Sequence, residues 1–182
     1  MEGLKKLDQL TKMDEMHQLT SQITGQLIEL ELLHKAVSSI TLHEGVPEEI
    51  QGQFNVARNM ALYQYFHYAL APEIQLKTYT IIEFALRLRA NSTKRLMLSA
   101  LVEMAVKKSW ITDAGFRHIK NPQPDNLYCK QLKEVLPRLR NGAAHGSSNL
   151  TPESVGHLAI CADLVNQLFS EKAQTTSLSL IC

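Results

Sequence analysis

The sequence predicts an all-α protein, an antiparallel bundle of four or more helices with an N-terminal helical extension. Two observations carry this. Apolar residues recur at steps of three and four through nearly the whole chain, and the prolines other than Pro137 fall at the starts of these runs or between them. No segment shows the period-two alternation of a half-buried strand, and no internal repeat or Gly-rich phosphate loop is present. A 45% hydrophobic content over 182 residues can furnish one packed core.

In the first forty residues Leu4, Leu7, Leu10, Met13, Met16, Leu19, Ile23, Leu27, Leu30, Leu33, Val37 and Ile40 form one stripe. This is the pattern of a long amphipathic helix or a helical hairpin, with Gly25 as its expected interruption. Such a stripe requires a partner surface. Packing against its own bundle is the simpler account, and a partner protein or a second copy is the other.

Pro47 suits the first position of a helix, and Glu48 and Glu49 complement its positive N-terminal end. The organisation expected is therefore residues 1–44 as an N-terminal amphipathic helical segment, 45–173 as the bundle and 174–182 as a C-terminal tail. Within the bundle an aromatic-rich helix, FNVARNMALYQYFHYAL, precedes a restart at Ala71-Pro72-Glu73 into IQLKTYTIIEFALRLRA. Two more helices run through KRLMLSALVEMAVKKSWI and LYCKQLKEVLPRLRNGAAH, divided by the loop NPQPDN, whose prolines cannot continue a helix. Thr151-Pro152-Glu153 is the start signal of a last helix, expected to end near Lys172.

No run approaches the roughly 18 apolar residues of a membrane span, and MEGLKKLDQL lacks the apolar core of a signal peptide, so a cytoplasmic protein without a membrane partner is expected. Cys129, Cys161 and Cys182 are widely spaced and imply neither a zinc site nor a disulfide framework. His17, His34, His43, His118 and His157 have no metal-ligand spacing, and no cofactor is expected. Tyr63, Tyr65, Phe66, His67 and Tyr68 could form a base-stacking platform, but helical spacing assigns most of them to the core or an interface.

Charge is uneven along the chain. Residues 1–50 hold nine acids against four lysines, net −5, whereas the remainder holds fifteen Lys and Arg against nine acids, net +6. The near-neutral total excludes a protein that coats nucleic acid without selectivity, while the basic remainder can still meet a phosphate chain.

The densest polar constellation is RLRNGAAHGSS, residues 138–148. On a helix Asn141 and His145 are one turn apart on one face, with Arg140 on the adjoining flank. Pro137 would kink this helix or start its final segment, and Gly146 would close it in a left-handed conformation. The small residues 142–144 let another backbone or a ligand come close. Histidine titrates near neutral pH and guanidinium grips phosphate with a planar fork, so the set suits phosphodiester chemistry. The competing reading is that Arg140 and His145 only complement the negative end of a helix. Glu83, an acid within an apolar helix, is either an orienting partner for Arg140 or His145 or an i,i+4 partner for Arg87.

LPRLRNGAAHGSS resembles the signature of the HEPN superfamily (higher eukaryotes and prokaryotes nucleotide-binding), an Arg, a polar residue often Asn, and a His spaced R-x4–6-H. Arg140, Asn141 and His145 fit it with four intervening residues. The upstream pair of helices is also similar to the superfamily's first two, with Glu83, Leu86 and Arg87 in an E-x2-L-R pattern. The resemblance covers roughly residues 52–172. It implies a helical bundle, often a homodimer whose two motifs face one cleft, and a metal-independent endoribonuclease of toxin, antiphage or RNA-processing systems; other members bind only nucleotide, RNA or protein. A toxin would also have an antitoxin or other protein partner. On this basis Arg140, Asn141 and His145 are the candidate catalytic residues and RNA the expected substrate. Arg138 and Arg87 are candidate RNA-binding residues.

Overall fold

A computed structural model describes residues 3–25, 27–145 and 154–170. Among these the chain is helical, with no strand: α1 Glu15–Thr24, α2 Leu30–Ser38, α3 Glu48–Tyr63, α4 Ala71–Ala90, α5 Leu98–Lys107, α6 Leu127–Ala144 and α7 Ser154–Leu168. Short 3-10 turns lie at Leu7–Gln9, Tyr68–Leu70 and Asp113–Gly115. No described helix is long and apolar enough to cross a membrane.

The centre of the bundle is α4, which packs against α3, α5, α6 and α7. Its buried face, Ile74, Thr78, Ile81, Ile82, Ala85 and Leu86, follows the helical period. Alanines at the crossings, Ala57 and Ala61 on α3, Ala85 on α4, Ala105 on α5 and Ala162 on α7, are fully buried and keep the helix axes close. Val37, Ile40 and Val46 belong to the same core, so the hydrophobic interior runs without a break across the Pro47 boundary.

The N-terminal stripe divides into two helices. Asp14 caps α1 by accepting the Met16 N–H at 3.0 Å, and Gly25, at φ +69°, ends it. The stripe's last members pack, with Val37 and Ile40 buried and Leu33 against the core. Leu4, Leu7 and Leu10 precede α1, and Met16, Leu19 and Ile23 lie on its solvent side, all exposed. The face of α1 turned inward carries His17 instead, whose ring nitrogen Nε2 donates to the Gln64 carbonyl at 3.0 Å.

The aromatic helix ends at Tyr63 rather than continuing to Leu70. Pro72 has no N–H to return to the Tyr68 carbonyl, and the chain turns through His67 in an extended conformation before α4 restarts. Tyr68 is buried while Tyr63 is exposed, and His67 is half-buried. The stretch through KRLMLSALVEMAVKKSWI is helical only over α5. Its end is a Schellman closure: Ser109 sits at φ +53°, and the Trp110 N–H reaches the Ala105 carbonyl at 2.9 Å while Trp110 inserts into the core.

The prolines of NPQPDN fall in an irregular connection, as the sequence predicts. Helix α6 then runs through Pro137 without stopping. The carbonyl four residues earlier belongs to Lys133, on the exposed face, where water can take the place of the missing N–H. The last helix ends at Leu168, short of Lys172. Its expected start at Thr151-Pro152-Glu153, the closing Gly146 and the tail 174–182 lie outside the described residues.

Candidate functional site

The last turns of α4 and α6 are side by side, and Glu83 joins them. Its apolar neighbours Ile82, Ala85 and Leu86 are in the core, which places the carboxylate at the margin of the packed interface, its side chain 16% exposed. One oxygen, Oε1, accepts from Arg87 Nη2 at 2.6 Å and from Arg87 Nε at 3.2 Å. The other, Oε2, lies 3.2 Å from Arg140 Nε as an ion pair across the two helices. Glu83 is therefore at once the i,i+4 partner of Arg87 and an ion-pair partner of Arg140.

Each arginine is also held elsewhere. Arg87 Nη1 donates to the Leu96 carbonyl at 3.0 Å, fixing the α4–α5 connection, and Arg140 Nη1 donates to Asn141 Oδ1 at 3.2 Å. Arg140 and Asn141 are thus joined through their side chains. They line a groove of about 220 Å³ together with Glu83, Arg87, Arg95, Pro137 and the start of α5. Three guanidiniums and one carboxylate line it, leaving an excess of two positive charges in a partly enclosed space.

His145 caps α6, and its N–H donates to the Asn141 carbonyl at 3.0 Å. Its residue is exposed, one helical turn beyond Asn141, and it is not part of the groove wall. Gly142 is exposed, and a Cβ added there would meet nothing, so this part of α6 is open to close approach from outside. Arg138 is exposed too, but two helical residues before Arg140 is a rotation of about 160° away from it, so it faces away from the groove. Arg87 lines the groove, with its guanidinium donors already engaged by Glu83 and Leu96.

Arg95 is the groove residue that helix spacing could not identify. It comes from the irregular α4–α5 connection, where only the adjacent cations Lys94-Arg95 signal it. Among the described residues the cysteines offer no competing nucleophile: Cys129 and Cys161 are fully buried, and burial raises both thiols far above the ordinary range, aided at Cys129 by Asp113. No group of three or more His, Cys, Asp or Glu among the described residues is arranged to hold a metal ion.

Replacing Glu83 by glutamine keeps the shape and removes the charge shared by the two arginines. Both guanidiniums are more than a third exposed, which screens the interaction, so the expected loss is about 1 kcal/mol. Thermal unfolding should register it as a fall in Tm of about 2–4 °C. A Glu83→Gln protein that melts with wild type would show that the shared carboxylate does not tie α4 to α6.

Comparison with known proteins found no family model, no curated relative and no solved structure that matches this chain.

Proposed function

We propose that this chain is an endoribonuclease of HEPN type that binds RNA phosphate at the Arg140–Asn141 groove and cleaves with His145. The observation that carries the reading is the convergence of Arg140 and Arg87 on the single carboxylate of Glu83, beside Asn141 and one turn from an exposed histidine. A guanidinium held this way is pre-set to receive a phosphate oxygen, because its side-chain freedom is already restricted.

In this mechanism an imidazole takes the proton of a ribose 2′-hydroxyl, and the 2′-oxygen attacks the adjacent phosphorus. The bond to the 5′-oxygen breaks, and that oxygen leaves with a proton from a second acid. Arg140 stabilises the charge that builds on the phosphate oxygens. The products are a 2′,3′-cyclic phosphate and a free 5′-hydroxyl. The RNA supplies its own nucleophile, so the step calls for no metal. One imidazole cannot serve as base and acid at the same instant, and the open surface around Gly142 and His145 is where a second copy could bring its own.

A second reading is a module that binds RNA, nucleotide or a partner protein without turnover. It is favoured by the position of His145 outside the groove wall, at a helix end where a histidine also complements the dipole. Incubating the purified protein with RNA in EDTA, beside a His145→Ala variant, separates the two. Cleavage by wild type alone, with DNA resistant for want of a 2′-hydroxyl, supports the nuclease. Binding without cleavage supports the module, and equal cleavage by both proteins removes His145 from the chemistry.

A further inference from the structure

The groove at Arg140 does not end at Arg87. Arg87 also lines a second depression of about 250 Å³, together with Ser92, Thr93, Lys94 and Arg95 of the α4–α5 connection and the end of α4. The two depressions share Arg87, Arg95 and Leu96 as a common wall. The bond from Arg87 Nη1 to the Leu96 carbonyl pins the connection there, and the Lys94 N–H donates to Ser92 Oγ at 3.2 Å, giving the turn a defined shape. Lys94 and Arg95 are exposed, and neither side chain has a carboxylate partner among the described residues. No acidic residue among the described residues lines the second depression.

We infer that the two depressions form one track for a single-stranded RNA, in which Lys94 and Arg95 bind a phosphate neighbouring the one held at Arg140. This rests on the reading above and specifies its substrate as an oligonucleotide rather than a mononucleotide. Cations that have no internal partner exchange only counterions for phosphate, so their contribution is read directly in the salt dependence of binding. Arg87 contributes differently. Its donors are engaged with the protein, and it acts as the divider that holds the two subsites at a fixed separation.

The experiment uses a 2′-O-methyl RNA of about ten nucleotides, which binds but lacks the nucleophile, titrated against the full chain at several salt concentrations. The Lys94→Ala/Arg95→Ala variant should bind more weakly at low salt, and its slope of log affinity against log salt should be shallower by about 0.7, the loss of one single-strand phosphate contact. A mononucleotide competitor, which occupies one subsite, should displace the oligonucleotide from the variant more readily than from wild type. An unchanged slope in a variant with unchanged melting overturns the second subsite while leaving cleavage at His145 standing. A shifted slope in a protein that cuts no RNA supports the track and overturns the nuclease reading. Absence of oligonucleotide binding by wild type overturns both.

Discussion

Replacing His145 by alanine should reduce RNA cleavage by roughly 10²–10⁴-fold, the usual contribution of a positioned general acid or base. The residue is exposed at the end of α6, so the substitution leaves no cavity. Its structural cost is confined to the helix dipole, about 0.3–1 kcal/mol. Rate and stability are therefore separable: cleavage of a labelled RNA in EDTA should collapse while thermal unfolding hardly moves. A variant that loses stability but cleaves normally would make His145 a helix cap and nothing more. If base and acid come from two copies, mixing wild type with variant gives a sharper reading. At equal amounts, random pairing leaves about a quarter of the dimers with two histidines, and activity should fall to that fraction of the undiluted wild type. A monomeric nuclease would retain half.

The second large effect lies away from the groove, at Asp113. Helix α6, which carries Arg140, Asn141 and His145, starts after Asn126, a residue in the left-handed conformation whose side chain does not cap its own helix. The cap is supplied from the preceding turn. Asp113 Oδ2 accepts the Tyr128 N–H at 3.1 Å, Oδ1 accepts the Cys129 N–H at 2.9 Å, and the Asp113 N–H in return donates to Asn126 Oδ1 at 2.9 Å. Asp113 is 4% exposed. Removing its carboxylate strands two N–H groups at the positive end of a helix, away from water.

Asp113→Ala should therefore cost about 2–4 kcal/mol, a large part of the stability of an ordinary domain. Chemical denaturation would measure it as a lower midpoint with the slope conserved. A loss below about 0.5 kcal/mol would mean that α6 does not depend on this cap.

The same carboxylate makes the effect depend on pH. Burial alone raises its pKa, but the bonds from Cys129 and Tyr128 outweigh burial and hold it below the ordinary value. A group whose folded pKa is depressed contributes its stability above the unfolded pKa, about 3.9, and loses it as pH falls through the folded one. The difference between wild type and Asp113→Ala should be full at neutral pH and shrink below about pH 4. A difference that grows on acidification would contradict the sign.

The bundle was legible because its helices bury a face. Residues such as Ile74, Ile81 and Leu86 repeat at the helical period, and Gly25, Pro72 and the prolines of NPQPDN interrupt it where the chain turns. The N-terminal stripe was legible only in part. Periodicity identified its apolar residues but could not show that Asp14 starts a helix there, nor that His17 rather than the leucines would turn inward. That choice depends on the Gln64 carbonyl, which is close in space and 47 residues away in sequence.

The candidate site divides in the same way. By itself the sequence determined the helical class and the local spacings, Glu83 one turn from Arg87 and Asn141 one turn from His145, since i,i+4 neighbours follow from helix geometry alone, while it left the partner of Glu83 open. The tertiary structure decided that Glu83 also reaches Arg140, that Arg95 completes the groove, and that Asp113 caps the helix bearing the motif. Each of these joins residues from different elements. The packing of α4, α5 and α6 sets those distances, and helical periodicity carries information about a face but none about which neighbour that face will meet.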